Sequence, residues 1–244
     1  MARSPNDVLR VAVIGAGGRM GSAVCTAIAA DPDCELVAQV RSGDGLDAVL
    51  DAGADVAVEF TLPGCVKANT SWLLERGVHT VVGATGLGDD DLADLRAATG
   101  PANCFVAPNF AIGAVLLMRF AAQAAAHLDH AEIVELHHDR KADAPSGTAL
   151  RTARMIAAAR ATTPPVPGPD GHPARGDVIE GVCVHSVRLP GLVASQEVVF
   201  GGPGQTLTIR HDSIDRSSFM PGVLLAVKRV GSLPGLTVGL ESLL

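Results

Sequence analysis

The sequence predicts an α/β protein: a doubly wound parallel sheet first, then a second α+β region with a mixed, largely antiparallel sheet. Three observations carry this. Apolar runs of strand length alternate with helix-length runs over roughly the first 110 residues, the pattern of βαβ units. A glycine cluster, Gly15-Ala16-Gly17-Gly18-Arg19-Met20-Gly21, falls where the first strand gives way to the first helix. Late in the chain, closely spaced apolar runs are separated by Pro190-Gly191 and Gly201-Gly202-Pro203-Gly204, the punctuation of an antiparallel meander.

Leu9 to Ile14 is a short apolar run that ends in glycines. Ser22 to Ala30 is small and apolar, is stopped by Asp31-Pro32, and reads as a helix. Glu35 to Val40 is the second strand and Asp55 to Phe60 the third. Val66 to Glu75 reads as a helix closed by Gly77, and Thr80 to Val82 as a strand. Asp89 to Ala98 reads as a helix whose first turn is acidic, which complements the helix dipole. Asn103 to Ala107 completes the parallel set. Ile112 to His127 is a long Ala-rich helix, Ile133 to His137 a strand, and Thr148 to Ala161 a helix. Thr162 to Arg175 is rich in Pro and Gly and is expected to be a loop. Val182 to Leu189, Leu192 to Phe200 and Gln205 to His211 form the meander. Ser217 to Val230 reads as a helix with Pro221 in its first turn, expected to return to the first domain. This pattern divides the chain into a dinucleotide-binding domain over 1–112 and 216–244 and a second domain over 113–215 that is left to bind substrate.

Composition narrows the function. Hydrophobic residues make up 48% of the 244-residue chain and charged ones 18%, which supports a packed core and argues against disorder. A formal net charge of −7 argues against binding a nucleic-acid backbone. Cys25, Cys34, Cys65, Cys104 and Cys183 are scattered and form no C-x-x-C pair, so neither a disulfide framework nor a structural zinc site is expected. Met1 to Arg10 is short and polar, and no apolar run is long enough to span a bilayer. The expected setting is soluble and cytoplasmic, with no membrane partner.

The glycine cluster has the layout of a dinucleotide-binding turn. Gly15 suits the tight turn, Gly17 or Gly18 lets the backbone approach a pyrophosphate, and Gly21 lets the helix lie close to the sheet. The helix N-terminus then offers N–H groups and a positive dipole end to phosphate. The spacing departs from G-x-G-x-x-G because position 20 is Met. At the end of the second strand, where an acidic residue would hold a ribose 2′-OH, stands Arg41. Arg41, with Arg19 in support, suits a 2′-phosphate, so NADPH is favoured and NADH is the alternative.

The run Glu132 to Ala149, Glu-Ile-Val-Glu-Leu-His-His-Asp-Arg-Lys-Ala-Asp-Ala-Pro-Ser-Gly-Thr-Ala, carries the chemistry. Strand alternation puts Val134 and Leu136 on one face and Glu135 and His137 on the other, polar face. Lys141 follows in the loop. Ser146 stands at the N-cap position of the next helix, and Gly147 and Thr148 supply its first N–H groups. That end can bind a carboxylate. A hydride acceptor conjugated to an imine or enamine needs a general acid, and His137 and Lys141 suit that work. The residues therefore point to a reductase acting on a small anionic substrate. His79, His185 and His211 read as structural or surface residues, and Asp89-Asp90-Asp91 as a charged helix start rather than a metal site.

At these residues the chain resembles the dihydrodipicolinate (4-hydroxy-tetrahydrodipicolinate) reductases of lysine and diaminopimelate synthesis, actinobacterial members above all. The signature E-[IV]-x-E-x-H-x-x-x-K-x-D-x-P-S-G-T-A is matched in full from Glu132 to Ala149. Glu59-Phe60-Thr61, Gly83-Ala84-Thr85-Gly86, Ala107-Pro108-Asn109-Phe110-Ala111-Ile112-Gly113 and Ile209-Arg210-His211-Asp212-Ser213 extend the likeness over nearly the whole chain. The resemblance implies His137 as proton donor or acceptor and Lys141 as second donor. It implies contacts from His138, Gly147 and Thr148 to substrate carboxylates. It implies a cofactor site lined by Gly15 to Met20, Arg41, Phe60, Thr61, Gly83, Ala84, Thr85 and Ala107 to Phe110. It further implies a homotetramer built on the second domain, domain closure on ligand binding, and no metal. Relatives carry an acid at the place of Arg41, so their NADH preference does not transfer. They often have Gly-Thr-Thr where this chain has Gly83-Ala84-Thr85, one hydroxyl fewer.

Two rival readings remain at this stage. One is an aspartate-semialdehyde or homoserine dehydrogenase; the former needs a nucleophilic cysteine, and Cys104 falls inside a predicted strand. The other is a nucleotide-binding redox sensor without turnover, which would have no use for the His137–Lys141 segment.

Overall fold

The first strand, β1 (Leu9–Ile14), is apolar and ends at Gly15, whose φ of +82° turns the chain as only glycine does without strain. A computed structural model describes residues 8–98, 100–161 and 173–244. The chain divides into one unit of Met1–Phe110 with Phe219–Leu244 and a second of Ala111–Ser218.

In the first unit, α1 (Arg19–Ala30) leads to β2 (Cys34–Val40), and α2 (Asp47–Asp51) to β3 (Val56–Glu59). Then come α3 (Pro63–Glu75), β4 (His79–Val82), α4 (Asp89–Ala98) and β5 (Cys104–Val106). After the second unit the chain returns as α7 (Met220–Arg229) and β11 (Leu236–Val238). The strands lie in the order β11-β5-β4-β3-β1-β2, with every pair parallel. Both faces are covered, as the fully buried β3 and β5 require. On one face Ala12, Ile14, Ala57, Val82, Cys104 and Val106 join Val49 of α2, Val66, Leu73 and Leu74 of α3, and Leu95 of α4. The other face carries Val11, Val13, Val58, Val81 and Phe105, all buried, with α1 and α7 packed together beside it. The predicted strands and helices of this unit are all present. Two short elements went unread, α2 and β11; three to five residues are too few to show a period.

The second unit contains α5 (Ile112–Ala125), β6 (His130–His137), α6 (Gly147–Ala159), β7 (Asp177–Ile179), β8 (Val182–Arg188), β9 (Ala194–Gly202) and β10 (Gln205–Ser213). Its sheet runs β10-β9-β6-β8-β7. The antiparallel meander holds for β9 and β10 but not for β8 and β9. β6 lies between those two, parallel to β8 and antiparallel to β9. The connection after β8 crosses the end of β6, where Leu189 N–H bonds the His137 carbonyl at 3.0 Å. A turn-rich spacer thus joins strands on either side of a third, and local sequence cannot distinguish that from a hairpin. α5 and α6 pack on the face that carries Ala131, Ile133, Val184, Val198 and Phe200. Of the loop expected over 162–175, residues 162–172 lie outside the described residues; Pro173–Arg175 form a 3-10 turn.

Candidate active site

The strand order of the first unit reverses at β1: β2 lies on one side, β3 on the other. In such sheets ligands bind beyond the carboxyl ends of the strands at this switch point. The glycine turn follows β1 there, and Phe60-Thr61 follows β3. A Cβ on Gly15 would sit 2.5 Å from the Phe60 carbonyl oxygen, and one on Gly21 2.1 Å from the Gly15 carbonyl oxygen. Turn, helix α1 and the β3 loop therefore close on one another only with glycine at both places. Gly17 is different. A Cβ there would meet nothing nearer than Arg41 Cγ, at 3.8 Å, so the chain's own packing does not demand the glycine. Open backbone at the N-terminus of α1, flanked by Arg41, is the fit a dinucleotide pyrophosphate and ribose need.

The cofactor candidates differ in exposure. Gly17, Gly18, Arg19, Arg41, Thr85 and Pro108 are exposed, whereas Ala16, Ala107 and Phe110 are buried. Met20, Thr61, Ala84 and Asn109 are half-buried. Phe110 is a floor rather than a wall: its ring packs 6.0 Å from Phe60 and 6.2 Å from Phe105 between centroids. A Cβ on Gly83 would fall 2.2 Å from Phe60 Cζ, so a side chain there would have to displace the Phe60 ring. Sequence reasoning gave Glu59 no role, yet it is fully buried and anchors the loop. Its carboxylate accepts from Thr61 N–H at 3.3 Å, from Thr61 Oγ1 and from Asn69 Nδ2 at 3.1 Å.

In the second unit β6 delivers His137 to its carboxyl end. Alternation places Glu135 and His137 on one face, as expected. That face is the helix-covered one shared with Ile133, and Glu135 is 0% exposed. A buried carboxylate persists only when its lone pairs are taken. Arg188, from the end of β8, gives Glu135 two hydrogen bonds, Nη1 to Oε2 at 3.0 Å and Nη2 to Oε1 at 2.8 Å. Ser146 N–H reaches Oε1 at 3.3 Å, and His137 Nδ1 meets Oε2. Burial alone would raise the Glu135 carboxyl; the bonds from His137 and Arg188 outweigh it and hold the group at about 2.

Beyond His138 the chain turns, with Lys141 N–H bonding the His138 carbonyl at 3.2 Å. Lys141 Nζ bonds Asp143 Oδ1 at 2.7 Å, and this pairing lowers the Asp143 carboxyl. Ser146 caps α6 as predicted, its Oγ accepting from Ala149 N–H at 3.2 Å. Leu150 N–H takes the Ser146 carbonyl. Gly147 and Thr148 thus stand in the first turn of the helix. A Cβ on Gly147 would meet no atom within 4 Å, so the space above it is open. His137, Lys141, Ser146, Gly147 and Thr148 are gathered around one end of β6. Arg188 is the member that sequence reasoning missed, because only the parallel pairing of β6 with β8 brings it to His137.

The lesser histidines have structural partners. His79 Nδ1 accepts from Asn103 N–H at 2.9 Å, and burial lowers its imidazole. His185 Nε2 lies 2.8 Å from Glu132 Oε2, and His211 packs against Gly113. Asp91 caps its helix through Gly88 N–H and pairs with Lys67, in keeping with a charged helix start. Cys104 is fully buried and its thiol is pushed up to about 12 by desolvation, so it cannot serve as the thiolate nucleophile the semialdehyde dehydrogenase reading needs. Among the described residues no helix is long and apolar enough to cross a membrane.

A doubly wound sheet with a glycine turn, joined in one chain to an acid–base cluster beside a helix N-terminus, defines a dinucleotide-dependent oxidoreductase. Comparison with known proteins makes the class specific. Residues 9–110 match the family model "Dihydrodipicolinate reductase, N-terminus" and residues 113–244 match "Dihydrodipicolinate reductase, C-terminus". The chain is 53% identical to the 4-hydroxy-tetrahydrodipicolinate reductase of Mycolicibacterium vanbaalenii, over 97% of this chain and 99% of that one. It is 52% identical to that of Streptomyces coelicolor, over 97% and 98%. A dipicolinate-bound dihydrodipicolinate reductase from Paenisporosarcina sp. TG-14 superposes with a TM-score of 0.85 at 37% identity, over 97% of this chain and all of that one. The chain belongs to the dihydrodipicolinate reductase family. It is an NAD(P)H-dependent oxidoreductase of the reductase step in lysine and diaminopimelate biosynthesis.

Proposed function

We propose that the first unit holds the dinucleotide and the second the substrate, 4-hydroxy-tetrahydrodipicolinate, which is reduced to tetrahydrodipicolinate with loss of water. The observation that carries this reading is that one buried carboxylate, Glu135, bonds both His137 and the Ser146 N–H at the start of α6, with Lys141 in the loop between them. When bound, the reduced dinucleotide supplies hydride, to C4 of a cyclic unsaturated dicarboxylate. Every other task falls to the chain. Gly15 to Met20, Arg41, Phe60-Thr61, Gly83 to Thr85 and Ala107 to Phe110 hold and orient the nucleotide. Gly147 and Thr148 bind a substrate carboxylate through N–H groups, the helix dipole and the Thr148 hydroxyl, with His138 beside them. His137 donates a proton as charge accumulates on the substrate, and Lys141 orients the substrate and acts as the second donor.

NADPH is the preferred donor in this reading and NADH the alternative. Arg41 beside Gly17 supports it, since a guanidinium can fork onto a 2′-phosphate. The proposed assembly is a homotetramer in the cytoplasm, built through the second unit. The sheet face opposite α5 and α6 supports such an interface, for it leaves Val134, Leu136, Val187 and Val199 only half-buried in the single chain.

The test is a coupled assay in which a synthase makes substrate from pyruvate and aspartate semialdehyde while nucleotide oxidation is followed. His137→Ala and Lys141→Ala are each expected to cut turnover by about 10² or more, the usual effect of losing a general acid. Unchanged turnover in both would sink the assignment of these roles.

A further inference from the structure

We propose that Glu135 and Arg188 form a positioning pair for the acid–base machinery: Glu135 holds His137 with Nδ1–H turned inward, leaving Nε2 to face substrate, and Arg188 ties that ring to the Lys141 loop. The proposal rests on the reading of His137 as proton donor and goes beyond it by naming what sets the ring's tautomer and charge.

The geometry leaves little freedom. An ionised carboxylate offers about four acceptor sites. Those of Glu135 are fully taken: Ser146 N–H and Arg188 Nη2 bond Oε1, Arg188 Nη1 and His137 Nδ1 bond Oε2, and Ser186 of β8 adds a further side-chain hydrogen bond. No lone pair is left for a proton, and the group is fully buried, so Nδ1 of His137 must be the donor in that contact. Neutral His137 then has a bare Nε2; imidazolium has an Nε2 proton to give. Arg188 does more than neutralise Glu135. Its Nη2 also donates to the Asp143 carbonyl oxygen, and Asp143 in turn holds Lys141 Nζ at 2.7 Å. One guanidinium on β8 thereby fixes both proposed proton donors and, through Glu135, the cap of the substrate-binding helix. Stability alone does not account for this arrangement, because apolar replacement of a buried ion pair is often neutral or stabilising.

The charges around His137 decide how the pair acts. Glu135 stands beside it on its own strand, and Arg188 is its register partner on β8. The loop adds the Lys141–Asp143 pair, and His138 is the neighbour in sequence. On β9 the register partner of His137 is the neutral Ala194. Removing Glu135 leaves an uncompensated cation beside His137 and removing Arg188 an uncompensated anion, a difference in sign that loss of mere scaffolding would not make.

The experiment is the pH dependence of kcat/KM for E135Q, R188Q and R188K, with H137Q as control and thermal melting as the check on folding. The alkaline limb reports the pH at which the proton donor is lost. E135Q is expected to move it down by about one pH unit or more, and R188Q up by a similar amount, the scale set by a charge within ~4–6 Å. R188K keeps the charge but loses the fork; its limb is expected to stay near wild type while KM for the dicarboxylate rises several-fold. Limbs unmoved in both E135Q and R188Q, with activity lost evenly at all pH, would overturn the proposal and leave a structural role. If E135Q does not fold, the R188Q limb against R188K decides alone, and an unmoved R188Q limb overturns it. Wild-type turnover and profile in H137Q would instead remove the underlying reading of His137.

Discussion

Arg41, just past the end of β2, is the side chain on which the proposed nucleotide preference turns. Its Cγ lies beside Gly17, in the place where a dinucleotide ribose is expected, and it stands where an acid would favour NADH. Charge-assisted bonds to phosphate are worth about 1.5–3 kcal/mol. Arg41→Ala is therefore expected to lower kcat/KM for NADPH by about tenfold or more and to leave NADH nearly unchanged. Parallel assays with the two nucleotides read this directly, and equal losses with both would assign Arg41 to the turn's structure instead. At the same scale, Glu135 and Glu59 are both fully buried yet differ in company: Arg188 and His137 surround the first, whereas Thr61 and Asn69 bond the second.

Two elements are held by their first residues. α1 can lie against the β1 turn only because Gly21 has no side chain; an added methyl would reach within 2.1 Å of the Gly15 carbonyl oxygen. Backbone atoms cannot yield as a flexible side chain would. Gly21→Ala is expected to cost at least the 1–3 kcal/mol of overpacking and to weaken nucleotide binding together with the melting temperature. A stable variant with normal affinity would show that the turn can relax. α6 depends on Ser146, whose Oγ caps Ala149 N–H. Ser146→Ala removes that bond at a cost of about 1 kcal/mol, or roughly 2–4 °C in Tm for a domain of this size. Because the same turn carries Gly147 and Thr148, KM for the dicarboxylate is expected to rise as well. A Tm shift without a KM change would separate the cap from the binding site.

Across the whole molecule, the buried carboxylate of Glu135 links fold stability to pH. Its folded value of about 2 lies below the ordinary 4.5, so the native state favours the ionised form. The stabilisation is complete above the unfolded value and is lost as pH falls from about 4.5 through about 2. A displacement of this size corresponds to roughly 3 kcal/mol. E135Q has no such proton to gain. Between pH 5 and pH 3 the wild type is therefore expected to lose more denaturation free energy than E135Q, measured by urea titration at each pH. Parallel losses would show that other carboxylates dominate acid unfolding. The open face of the second sheet gives oligomeric state the same global reach, since partner binding to Val134, Leu136, Val187 and Val199 would add stability by mass action.

Local pattern determined much of this protein. Period, glycines and caps fixed the parallel order of β1 to β5 in the chain, the turn at Gly15 and the Ser146 cap, because each depends on residues within a few positions of one another. The run from Glu132 to Ala149 likewise carried its chemistry in sequence, alternation alone placing Glu135 beside His137. Tertiary structure decided the rest. β6 inserts between β8 and β9, though a turn-rich spacer looked like a hairpin. Arg188 reaches Glu135 from 53 residues away, and Arg41 reaches Gly17 only through the pairing of β1 with β2. Such contacts join residues whose separation in sequence leaves no local signature, and only strand pairing in the folded sheet brings them within bonding distance.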